Sequence, residues 1–211
     1  MGHRLPIARL LYKLLKCNIF LLSYRGYGFS EGEPNEVGLK IDAQTALDYI
    51  KNHEILKNTK LIAYGQSIGG AVAIDIVSKN ENLFEALIIE NTFLSIPKLI
   101  PTVMPVIAPV KFLCHQKWNN EESIKNLKKI PILLLSGSKD ELVPPSHMLE
   151  LFKILKEVRR CNIKKKDNLL MEDEDLKLVW KEFANGTHND TCMQDNYFKF
   201  IFEFLHNLGI V

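Results

Sequence analysis

The sequence predicts an α/β fold: a parallel sheet of about five strands covered by helices on both faces. Three observations carry this. Short apolar runs alternate with stretches of helical spacing along the chain. The runs are apolar at consecutive positions, the pattern of strands buried on both sides. The segments between them are long enough for crossover helices, which parallel strands require.

The first seventeen residues are amphipathic, with Leu5, Ile7, Leu10, Leu11, Leu14 and Leu15 set against Arg4, Arg9, Lys13 and Lys16. They never run apolar for the ~18 residues of a membrane span. Asn18–Tyr24 is apolar and runs into glycines, which predicts a strand. Glu36–Asn52 has helical spacing through Leu39, Ala43, Ala46, Leu47 and Ile50. Lys60–Gly65 reads as a strand, and Ile68–Ser78, apolar nearly all round, as a buried helix. Ala86–Glu90 and Ile130–Ser136 are further strands, and His147–Lys156 is helical. Leu178–Ala184 supplies a fifth strand. Asp195–Asn207 closes the chain as a helix with Phe198, Ile201, Phe202 and Leu205 inward.

Two stretches break this rhythm. Residues 97–118 hold Pro101, Pro105 and Pro109 among large apolar side chains, so they cannot be one regular helix. They form either a lid or a proline-rich crossover packed on the surface. Residues 159–175 mix a lysine run with an acidic run and read as a solvated, charged insertion of low complexity. The 211 residues are otherwise taken as a single domain, 1–211.

Composition narrows the function. With 46% hydrophobic and 25% charged residues, the chain can build a core and is not disordered. A net charge of +2 predicts no strong whole-chain attraction to nucleic acid. Cys17, Cys114, Cys161 and Cys192 are widely spaced, which argues against a zinc or redox motif and for reduced, mostly buried thiols. No spacing suggests a metal or an organic cofactor. As it stands the chain reads as soluble.

Gly65-Gln66-Ser67-Ile68-Gly69 is a G-x-S-x-G pattern lying between a predicted strand and a predicted helix. In that setting the serine occupies a strained turn, its hydroxyl stands above the carboxyl edge of the sheet, and the next helix aims its first amides at the same place. The bland alternative is a glycine-rich turn with an N-capping serine.

A nucleophilic serine needs a base, and the base an orienting carboxylate. In such sheets these follow in the order Ser, Asp or Glu, His. Asp140 lies just past the fourth strand, and Leu142-Val143-Pro144-Pro145 after it makes a stiff turn that would aim it inward. Glu141 and Glu90 are rival carboxylates. His188, in Gly186-Thr187-His188-Asn189-Asp190, follows the last strand and has both the right order and the right loop. His53, His115, His147 and His206 read as surface residues. The expected chemistry is attack by Ser67 on an acyl carbonyl, with His188 as base, Asp140 as orienter and the Ile68 amide holding the oxyanion. A serine in that position argues against dehalogenase or epoxide-hydrolase chemistry.

The segments Ser23-Tyr24-Arg25-Gly26-Tyr27-Gly28, Gly65–Ile74, Glu90–Pro97 and Gly186–Thr191 together resemble the α/β-hydrolase fold, and within it the bud-emergence (Bem-type) branch of serine hydrolases. The resemblance spans the chain except for about residues 159–175, and by position it puts the catalytic residues on Ser67, Asp140 and His188. It implies an ester or thioester hydrolase acting on membrane-associated acylated lipid or protein. It also implies a longer N-terminus carrying a hydrophobic anchor and the early strands. Gly2-His3-Arg4-Leu5-Pro6 is similar to the tail of the loop that supplies the second oxyanion amide. On this implication the chain is N-terminally truncated, and its parent is membrane-bound. Two other readings stay open: an interaction protein or inactive fragment that keeps the fold, and a peptidase of the same fold.

Overall fold

The computed structural model describes residues 4–164 and 177–211, apart from a few side chains within them. The chain falls into two compact units. One is the chain up to Lys60 together with Cys192–Val211; the other is Leu61–Thr191.

The second unit is built on four parallel strands: β1 (Ile62–Gln66), β2 (Ala86–Glu90), β3 (Ile132–Gly137) and β4 (Leu178–Phe183), adjacent in chain order. Each is joined to the next by a long connection, as parallel pairing demands. β2 and β3 are buried at every position, so their unbroken apolar runs are explained by cover on both faces. The register aligns Gln66 with Glu90 and Glu90 with Leu135. The residues that follow these strand ends therefore share one edge of the sheet.

Helix α3 (Ile68–Lys79) is buried continuously from Gly70 to Val77, which accounts for its apolar character all round. After β2 the prolines divide the chain as expected. Helix α4 (Ile96–Val103) starts under a Ser95 cap, with Pro97 in its first turn, and ends at Met104. A 3₁₀ run then spans Pro105–Leu113. The short helix α5 (Asn120–Ser123) precedes β3, and α6 (Pro145–Lys164) precedes β4.

Helix α6 corrects two expectations. It runs well beyond His147–Lys156 and takes in the first residues of the supposed insertion; the remainder of that insertion, residues 165–175, lies outside the described residues. Arg159 is only 2% exposed, not solvated. Its guanidinium donates to the carbonyls of Leu127 (3.3 Å), Ile130 (2.6 Å) and Lys177 (3.5 Å), which is how a long cation can be buried. Burial pushes its pKa down to about 10, which leaves it charged at neutral pH. His147 is likewise buried, and its Nδ1 accepts the Leu94 N–H at 3.2 Å. Burial, and secondarily Lys98, lowers its pKa.

The first unit holds α1 (Leu5–Leu15), α2 (Glu36–Asn52) and α7 (Tyr197–Asn207), with α1 packed on α7. Asn35 caps α2 by accepting the Gly38 N–H at 2.8 Å. Asp42 grips Arg25 through its backbone N–H (2.9 Å) and its guanidinium (2.7 Å to Nη2), pinning the Gly26–Gly28 turn to α2. The bonds from Arg25 hold the Asp42 carboxyl below its ordinary range.

Asn18–Tyr24 forms no strand: apolar residues make a strand only with a ladder partner, and they have none among the described residues. In α7 the buried stripe is Tyr197, Ile201, Phe204 and Leu205, while Phe202, expected inside, is 40% exposed. It lies one helical step off that stripe. All four cysteines are free; Cys192 is buried and Cys161 exposed, against the expectation of mostly buried thiols.

Two outcomes follow from α6. Arg159→Met strips two buried carbonyls of their donor and should cost about 2–3 kcal/mol in urea unfolding, with Arg159→Lys recovering only part. For His147, the folded pKa lies below the unfolded value of about 6.5, so the unfolded chain binds the proton first as pH falls. Stability contributed by neutral His147 is complete above about pH 6.5 and drains away below it. The fall in unfolding midpoint between neutral and mildly acidic buffer should be smaller in His147→Gln.

Candidate active site

β1 delivers the chain into a turn that ordinary residues avoid. Ser67 has φ 55° and ψ −122°, a left-handed value for a residue with a side chain. The strain, about 1–3 kcal/mol, is held by neighbours. The Ser67 N–H donates to Glu90 O at 2.9 Å. Its carbonyl accepts from Gly70 N (2.9 Å) and Thr92 Oγ1 (2.8 Å). A Cβ on Gly65 would run into the Gly69 carbonyl, and one on Gly70 would meet Thr92 at 2.7 Å. Glycine is therefore a steric requirement at both places. The Ser67 side chain makes no capping hydrogen bond to α3, contrary to the bland reading of this turn. Ile68 opens α3, whose first amides have no carbonyl partner within the helix and stand at its positive end.

The histidine loop follows β4. His188 and Asp140 are both buried, with His188 Nδ1 2.8 Å from Asp140 Oδ2. A carboxylate oxygen only accepts, so Nδ1 carries a proton, and in the neutral ring the lone pair is on Nε2. The other oxygen, Asp140 Oδ1, accepts the N–H groups of Leu142 (2.9 Å) and Val143 (2.7 Å). The turn after Asp140 thus aims its carboxylate through backbone bonds. The rival carboxylates take other work. Glu141 Oε2 accepts the His188 backbone N–H at 3.2 Å. Glu90, fully buried, accepts from Tyr64 Oη at 2.7 Å.

Two residues outside the predicted set tie these parts together. Gln66 Nε2 donates to the His188 carbonyl at 2.6 Å, so the neighbour of Ser67 reaches the backbone of the histidine. Asn91, at φ 45°, donates through Nδ2 to Thr187 O (3.2 Å), His188 O (3.3 Å) and Thr191 Oγ1 (3.0 Å). Its Oδ1 accepts the Gly137 N–H at 2.9 Å. Asp190 braces the loop from inside by accepting the Thr187 N–H at 2.6 Å, a bond that lowers the Asp190 pKa. Nothing in the sequence near Gln66 or Asn91 announces these partners, which lie from 46 to 122 residues away. Among the described residues no group of His, Cys, Asp and Glu side chains is placed to hold a metal.

A strained serine follows β1 and a buried Asp–His pair follows β3 and β4, all past the carboxyl ends of one parallel sheet. The model of the prolyl oligopeptidase family matches residues 35–175. The chain belongs to the prolyl oligopeptidase family. It is homologous to protein bem46 of Schizosaccharomyces pombe, being 48% identical over 206 residues that make up 97% of this chain and 63% of that protein. The Saccharomyces cerevisiae membrane protein YNL320W is 39% identical across all of this chain and 68% of its own length. The α/β-hydrolase domain-containing protein WAV2 of Arabidopsis thaliana is 33% identical over 97% of the chain and 65% of that protein. The chain therefore spans about two thirds of the length of these relatives. An alpha-beta hydrolase from Vibrio vulnificus superposes with a TM-score of 0.70 at 22% identity, covering 97% of this chain and 69% of that one. A Pyrococcus furiosus esterase gives 0.65 at 17% identity, covering 87% of this chain and 68% of its own. The fold is the α/β-hydrolase fold, with four parallel strands among the described residues against about five expected.

Asn91→Ala should lose about 2–3 kcal/mol in urea unfolding, because it removes bonds to two loops and puts a Cβ-bearing residue without local side-chain support at positive φ. Asn91→Gly accepts that φ and should lose less.

Proposed function

We propose that the chain carries a serine hydrolase centre that cleaves acyl esters or thioesters through an acyl-enzyme, with Ser67 as nucleophile, His188 as base and Asp140 as its orienting carboxylate. The observation that supports this most directly is the 2.8 Å contact between buried Asp140 and His188 Nδ1, the arrangement in which the neutral ring offers Nε2 as base, while Gln66, next to the strained Ser67, bonds to the His188 carbonyl. Ser67 Oγ attacks the acyl carbonyl as its proton passes to Nε2, a contact that tightens when substrate is bound. The Ile68 amide at the positive end of α3 faces the developing oxyanion. The intermediate collapses, the bond to the leaving oxygen or sulfur breaks, and His188 returns the proton to the leaving group. Water then gives a proton to His188 and its oxygen to the acyl carbon, releasing the acid and restoring Ser67.

Acylated lipids or proteins at membranes are the substrates this reading favours, in keeping with a yeast relative described as a membrane protein. A longer parent carrying the anchor of the resembled branch would be held at the membrane. In this chain no helix among the described residues is long and apolar enough to cross one. The family description also supports a second reading, peptide bonds as substrate.

The test is labelling with a fluorophosphonate probe. Wild type should label, Ser67→Ala should not, and His188→Ala should label at least about a thousandfold more slowly. A folded wild-type chain that takes no label would sink the proposal and leave a binding role for the fold. Turnover of acyl esters and thioesters, without turnover of peptide anilides, would separate the two substrate readings.

A further inference from the structure

The segment after α4 exposes an unusual amount of apolar surface. Val103 is 43% exposed, Met104 55%, Val106 91%, Phe112 74% and Leu113 61%. Single exposed apolar residues are common, but five within eleven positions call for an explanation. Residues 105–113 are 3₁₀, with three residues per turn, so Val106, exposed Pro109 and Phe112 stack along one line. The segment is not a loose end. Its flanks are tied where the Ile96 N–H donates to Lys117 O at 2.9 Å and Asn120 Nδ2 to Phe93 O at 2.8 Å, with Trp118 buried between those ties.

Charge says what such a face suits. No acidic residue occurs between Glu90 and Glu121, whereas Lys98, Lys111 and Lys117 do. With 25 acidic residues in 211, an average stretch of that length would hold between three and four. Lys98 pairs with Glu121 at the foot of the segment, at 2.5 Å. Lys111 is exposed and directly precedes the exposed Phe112 and Leu113.

We propose that residues 103–113 dock on the surface of an anionic lipid bilayer. Val106, Phe112 and Leu113 enter the boundary between headgroups and acyl chains, and the Lys111 stem lies along the apolar surface with its ammonium group at the headgroups. A second copy of the chain is a poorer occupant, since a self-complementary contact would bring the same lysines together. The helices among the described residues are too short or too polar to span, so this is contact with a membrane surface and not insertion across it. The inference does not depend on Ser67 chemistry.

Co-sedimentation of the full chain with vesicles tests it. Binding should be about tenfold stronger to vesicles rich in phosphatidylserine than to pure phosphatidylcholine, and should weaken in high salt. The triple variant Val106→Ser, Phe112→Ser, Leu113→Ser should lose at least about tenfold on the anionic vesicles, with an unchanged circular dichroism spectrum and urea midpoint. Lys111→Glu should weaken anionic binding alone. Equal binding to both vesicle types, unaltered binding by the triple variant, or no vesicle binding would overturn the proposal. So would a concentration-dependent dimer abolished by Phe112→Ser, which would make a second copy the occupant.

Discussion

Asn91 stands one residue past β2 with its backbone in the left-handed region, and its side-chain amide joins three segments remote in sequence. One side of the amide accepts from Gly137 at the end of β3, and the other donates to Thr187, His188 and Thr191 after β4. An amide of four hydrogen-bonding positions is the smallest side chain that can do this, and asparagine also tolerates positive φ. Gln66 adds a bond from the end of β1 to the same His188 carbonyl. The loop that carries the imidazole is thereby fixed to the ends of β1, β2 and β3. The Asp140–His188 contact depends on that fixing, because a carboxylate can orient a ring only if the backbone beneath the ring stays in place.

Such a clamp needs a rigid base, which the apolar middle of the sheet supplies. The fully buried β2 and β3 hold the strand ends level, and α3 is buried close behind β1 and β2. Gly65 lets the end of β1 pass against the Gly69 peptide, and Gly70 lets α3 approach Thr92. Burial keeps water away from the polar bonds above, and each bond is stronger for it. Arg159 repeats the principle at a distance from the strand ends that bear the site. A cation buried among carbonyls braces the segments leading into β3 and β4.

The prolines of residues 97–113 act by subtraction. They shorten α4 and leave a 3₁₀ run with apolar side chains in the open, on a stretch from which acidic residues are missing. The two ends of that stretch are bonded to each other, so its exposure belongs to a built part of the fold. A chain with this face and a buried Asp–His pair has two separate features that burial of the core does not account for.

By itself the sequence determined the parallel α/β architecture, the positions of β1 to β4 and of α2, α3 and α7 to within a few residues, and the identities of Ser67, Asp140 and His188 as candidates. These are properties of local pattern: apolar period, glycine spacing and the order of chemistry-bearing residues along the chain. Where pattern depends on a partner it misled. Asn18–Tyr24 has the composition of a strand but no ladder among the described residues, and Arg159 and His147 look like surface residues until carbonyls and an amide from elsewhere bond to them in the interior. Only the tertiary structure decided that Asp140, and neither Glu141 nor Glu90, reaches the imidazole, and that Gln66 and Asn91 hold it. The physical reason is that a hydrogen bond is short and directional, whereas the residues that make these bonds are separated by tens to more than a hundred positions, a distance over which one-dimensional spacing carries no record of contact.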